Sequence, residues 1–126
     1  MATALVPSPL KLESKDVFAL DGRIRWTAYG DVHGKIFFSE VRPGLTPVLA
    51  LDRIRDLLRM RAEYLTEIAR RVEPFVGRAR YVITAYEPYI EVIVTREDRY
   101  LAISVNPDTP LSDTGPIVAL IGKLNF

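Results

Sequence analysis

The sequence predicts an α+β fold: a five-stranded antiparallel sheet, one long helix and a C-terminal helix, in the order (α)ββαβββα. Three observations carry this. Apolar residues alternate with period two in five short segments. One stretch after residue 46 instead follows the 3.6-residue period of an amphipathic helix. The turns between the last three strands, at Glu87-Pro88 and Glu97-Asp98, are short enough to force antiparallel neighbours.

Residues 1–9 carry Ser and Pro punctuation and read as a flexible tail ahead of a single domain at 10–126. Residues 10–20 suit a short helix with Leu10, Val17 and Leu20 inward. From Arg23 the period becomes two, with Ile24, Trp26 and Ala28 on one face and Arg25, Thr27 and Tyr29 on the other, a half-buried strand. Gly30 to Gly34 supply a hairpin turn, and residues 35–41 return antiparallel until Arg42-Pro43-Gly44.

The long helix can enter at Thr46-Pro47 or at Asp52. Leu51, Ile54, Leu57, Leu58, Tyr64, Leu65, Ile68, Ala69 and Val72 then share an arc of roughly 160° at about 100° per residue. Pro74 and Gly77 are its expected stop signals. Strands follow at 80–87, 89–96 and 100–106, with Ile90, Val92, Val94, Leu101, Ile103 and Val105 inward. Ser112-Asp113-Thr114 with Pro116 offers the cap of a last helix packing through Ile117, Leu120, Ile121 and Leu124.

Composition bounds the function. The 126 residues carry a net charge of +1, 48% hydrophobic residues and no cysteine. A disulfide framework, a thiolate metal site and cysteine catalysis are therefore excluded. His33, the single histidine, lies in a hairpin tip, and the carboxylate pairs Asp52/Asp56 and Glu63/Glu67 lie on the helix's polar arc. No phosphate-cradling glycine loop occurs. Neither an enzyme nor a cofactor is expected. The uncharged runs 43–51 and 114–122 fall well short of the ~20 residues that span a bilayer, and residues 1–10 lack a basic leader. A soluble, cytoplasmic protein is expected. Thirteen Arg against four Lys, no Gln, two Asn and prolines placed between the segments suit a thermophilic source.

Arg61 is the anomaly. It falls inside the apolar arc, where an unpaired guanidinium costs several kcal/mol. Either it snorkels to water, or the arc covers two surfaces, its own sheet and another subunit, with Arg61 at the seam. The second reading predicts a homodimer through Leu57, Arg61, Tyr64 and Ile68, with Tyr81 and Ile83 of the third strand beside them. An alternative is nucleic-acid binding through Arg55, Arg59, Arg78 and Arg80 with strand tyrosines. The helix arginines, however, interleave with carboxylates. A small-ligand sensor with a pocket between sheet and helix is the third possibility.

Several short motifs point to a family. They are Leu20-Asp21-x-x-Ile24-Arg25-Trp26, then Arg42-Pro43-Gly44-Leu45-Thr46-Pro47, then Arg59-Met60-Arg61-Ala62-Glu63-Tyr64, and Val76-Gly77-Arg78-Ala79-Arg80-Tyr81. Over residues 17–124 the chain resembles an archaeal domain of unknown function related to the roadblock/longin (profilin-like) group. The long helix carries several extra residues before Gly77, and the N-terminal helix is abbreviated. The resemblance implies the same ββαβββα order, an archaeal or archaeal-virus source, and homodimers or heterodimers serving as scaffolds, often for small GTPases or their regulators. It transfers no catalytic residue.

Overall fold

A computed structural model describes residues 11–126, so the tail at 1–9 and Leu10 lie outside the described residues. The elements are α1 (Ser14–Phe18), β1 (Ile24–Asp31), β2 (Ile36–Val41), α2 (Leu51–Glu63), a π-helical turn (Tyr64–Ile68), α3 (Ala69–Val76), β3 (Tyr81–Ala85), β4 (Ile90–Arg96), β5 (Arg99–Val105) and α4 (Leu111–Gly122). The predicted order holds. All pairings are antiparallel, in the sheet order β2-β1-β5-β4-β3, leaving β2 and β3 at the edges.

The sheet is covered on both faces, whereas alternation alone predicts half-buried strands. One face packs Tyr29, Val92, Leu101, Ile103 and Val105 against Val17, Phe18, Ile117 and Ile121 of α1 and α4. The opposite face packs Ala28, Ile93, Tyr100 and Ala102 against Ile54, Leu58 and Leu65 of the long helix. Strands of this kind alternate between two cores rather than between core and water.

Expected cofacial neighbours Ile24 and Trp26 are split by the register. Ile24 pairs with Val105 and Trp26 with Ser104, so the ladder carries an extra residue at Arg25. Ile24 joins the α1/α4 core, while Trp26 lies against the helix core and donates its indole N–H to Ser39 Oγ at 3.1 Å.

The first helix is shorter than expected, five residues, with Val17 fully buried and Leu20 packed beside it. Arg42 holds this corner: its guanidinium donates to the carbonyls of Phe18, Asp21 and Ile24 at 2.9, 2.7 and 2.6 Å. The long helix begins at Leu51 behind an extended Ala50, not at Thr46-Pro47, and Asp52 sits in its first turn. Pro74 lies inside the final turns, and Gly77, with φ +82°, ends them. The last helix starts behind Pro110, earlier than Ser112-Asp113-Thr114 suggested, because Pro110 already holds the extended cap conformation. Thr114 instead bonds back to the Pro110 carbonyl from within the helix.

Gly30 is fixed by a close approach. Its cross-strand partner Tyr100 lays its phenol over the glycine, so a Cβ there would stand 2.7 Å from the Tyr100 hydroxyl and 2.7 Å from the Lys35 carbonyl. Burial, aided by the charge of Asp31, pushes the Tyr100 hydroxyl up to about 12.

Candidate interaction surface

The apolar arc of the long helix divides into two stripes. Ile54, Leu58, Ala62 and Leu65, three or four residues apart, are buried against the sheet. Met60, Tyr64, Ile68 and Val72 are exposed, and Phe75 and Val76 are 84% and 78% exposed. The π-helical turn widens the helix by one residue per turn in its middle. Downstream, α3 buries no residue of its own. An apolar stripe therefore continues along the helix, uncovered by any of the described residues.

Arg61 sits between the stripes, and the structure pairs it. Its Nε donates to Glu91 Oε1 at 2.6 Å, and its Nη2 donates to the hydroxyl of Tyr86. The guanidinium carbon also lies 5.6 Å from the Tyr86 ring centre, and Tyr86 meets Tyr89 edge-on at 5.5 Å. Glu91 is 2% exposed. Burial raises its carboxyl above the ordinary value, opposed by the hydrogen bond and charge of Arg61. Tyr89 is raised too, by burial and by the Glu91 charge.

The remaining expected residues are placed as follows. Leu57 is half-buried at the start of the exposed stripe, and Tyr64 and Ile68 lie on it. Tyr81 and Ile83 are not beside them. Their cross-strand partners are Val94 and Val92, which belong to the α1/α4 face, and Ile83 packs there. Val82 and Thr84, paired with Ile93 and Glu91, are the β3 positions on the helix face. A one-residue phase error, invisible without the pairing partner, explains the exchange.

Arg55, Arg59, Arg78 and Arg80 are exposed. Arg59 faces Asp56 at 3.7 Å, and Arg78 donates to the Glu97 carbonyl. Of the strand tyrosines, Tyr100 is 1% exposed beneath the helix, and helices cover both faces of the described sheet, while Tyr81 and Tyr86 are exposed at the start of β3 and just beyond its end. His33 meets Asp98 at 3.6 Å in the open hairpin tips, with both side chains largely exposed.

Sequence reasoning missed Glu91, Tyr86, Met60, Phe75 and Val76. Glu91 was legible only as a charge on the expected wet face of a strand. Phe75-Val76 follow Pro74, which the sequence alone marks as a helix stop.

A small apolar pocket lies at the helix's N-terminal end, walled by Trp26, Pro47, Val48, Leu49, Leu57 and Tyr89. No helix among the described residues is long and apolar enough to cross a membrane.

No protein-family model matches the chain, and no curated protein matches it. Solved structures do match in fold. A roadblock/LC7 domain from Streptomyces avermitilis superposes with a TM-score of 0.61 at 14% identity, over 83% of this chain and 87% of that one. MglB in a tetrameric arrangement gives 0.63 at 17% identity, over 86% and 76%. Myxococcus xanthus MglB gives 0.63 at 9% identity, over 86% and 85%. The fold is thus of the roadblock/LC7 kind.

Proposed function

We propose that the chain is a non-enzymatic protein–protein interaction module that works as a homodimer. The observation that carries this is the stripe Met60, Tyr64, Ile68, Val72 and Phe75, which no described residue covers. A monomer gains nothing from holding such residues in water, whereas a two-fold pairing of helices buries the same patch twice. The free edge of β3 can extend the sheet across the same axis. The MglB neighbour in its tetrameric arrangement supports association by this fold. The scaffold role, for a small GTPase or its regulator, is what the sequence resemblance implies.

Sedimentation velocity at micromolar concentration tests the dimer. Wild type should sediment as a dimer, and Ile68→Asp as a monomer with an unchanged far-ultraviolet spectrum. A wild-type monomer overturns the reading. For the scaffold role, wild type but not Ile68→Asp should retain a GTP-binding protein from native lysate. Failure to retain one overturns the GTPase link.

A further inference from the structure

The exposed stripe is palindromic in its spacing. About a centre at Thr66, inside the π-helical turn, Tyr64 mirrors Ile68, Met60 mirrors Val72, and Leu57 mirrors Phe75. An antiparallel pair of helices crossing at that turn would bring each Phe75 to its partner's Leu57. Leu57 is also a wall of the apolar pocket at the helix's N-terminal end. Within one chain Phe75 cannot reach that pocket, because the intervening helix holds them about 27 Å apart at 1.5 Å per residue.

Resting on the dimer reading above, we infer that Phe75 of one copy docks into the pocket of the second copy formed by Trp26, Pro47, Val48, Leu49, Leu57 and Tyr89. The occupant is a second copy of this chain. Three features converge on it. Phe75 is the most exposed large apolar side chain described, and α3, which carries it, has no buried residue among those described. Leu57, one wall of the pocket, and Phe75 are separated from Thr66 by equal lengths of helix. The pocket's lining, Arg25, Thr46 and Ser104 aside, is aromatic and aliphatic, chemistry that accepts a phenyl ring. Each dimer then holds two such locks, and the helical extension is what reaches between them.

Two probes come with the molecule. Trp26 is the only tryptophan and lines the pocket, and the chain has no cysteine. Wild-type emission should shift to the red on dilution through the dimer's Kd. Phe75→Ser should raise that Kd by about 10- to 100-fold. At concentrations where sedimentation still shows a Phe75→Ser dimer, its Trp26 emission should remain red. Mixed Phe75→Cys and Val48→Cys chains should form a disulfide-linked heterodimer on mild oxidation, as should mixed Tyr64→Cys and Ile68→Cys chains. The second link without the first overturns the Phe75 lock and leaves the dimer standing. A wild-type protein that sediments as a monomer overturns both.

Discussion

Arg61 Nε and Glu91 Oε1 meet 2.6 Å apart, joining the outer edge of the long helix to the buried face of β4. Glu91 is almost without water, and the hydroxyl of Tyr86 takes up a second guanidinium nitrogen. An ion pair of this kind is not by itself a source of stability, because desolvation consumes most of the attraction. Breaking it from one side is what costs.

Arg61→Met should destabilise the fold by about 3–5 kcal/mol at pH 7, since the carboxylate is left alone under the helix. Arg61→Met with Glu91→Met should recover most of that loss, giving a coupling well above additivity in urea titrations. Recovery no better than the sum of the single variants would contradict the pairing.

The pH dependence has a defined sign. Folding raises the Glu91 carboxyl above its ordinary value. Its contribution to stability is therefore fully present below the ordinary glutamate range and is lost as pH climbs through the folded value. The stability of Glu91→Gln relative to wild type should rise across that interval and flatten above it. In an Arg61→Met background the interval should extend further upward. Paired unfolding curves at several pH values measure both.

Gly30→Ala should cost about 1–3 kcal/mol through overpacking. The new Cβ meets the Tyr100 ring and a backbone carbonyl, and only the ring can give. Adding Tyr100→Phe should restore part of the loss and not all of it. Thermal unfolding of the two variants provides the comparison.

Arg42→Lys should lower stability by about 1.5–3 kcal/mol, although the charge is kept. Three carbonyls from Phe18, Asp21 and Ile24 converge on a planar fork that an ammonium cannot reproduce. Hydrogen exchange should show α1 protection falling before that of the sheet.

Insertion of one alanine between Arg70 and Arg71, in the regular helix beyond the π-helical turn, should rotate residues 71–76 by about 100°. Because α3 buries nothing in its own chain, the folded monomer should lose little stability. The dimer should be lost. Retention of dimer after the insertion would show that the phase of the stripe is immaterial.

The element order was legible because period and turn chemistry are local. The five strands and the long helix follow from alternation, Gly77 and the short turns. What local pattern could not supply was the facing partner. Glu91 read as a wet-face charge because a strand cannot announce that a helix lies over its other side. Ile24 and Trp26 read as cofacial because the extra residue between them shows only in the ladder. Tyr81 and Ile83 were placed beside the helix for the same reason. Arg61, in contrast, was visible as a misfit before its partner was known, since a charge inside an apolar arc demands an explanation. Its carboxylate lies thirty residues away.

The central pairing of β1 with β5 bears on how the chain finds its structure. Thr27 bonds to the Ala102 carbonyl across a separation of 75 residues, so this seam closes a long loop. The hairpins β1–β2 and β4–β5 need only local closure and can zip early. Their joining, with the long helix docking over the seam, is then the slow, rate-setting event. Substitutions at Ala28 or Ala102 should retard refolding, while those in the exposed end of the helix should leave refolding of the monomer unchanged.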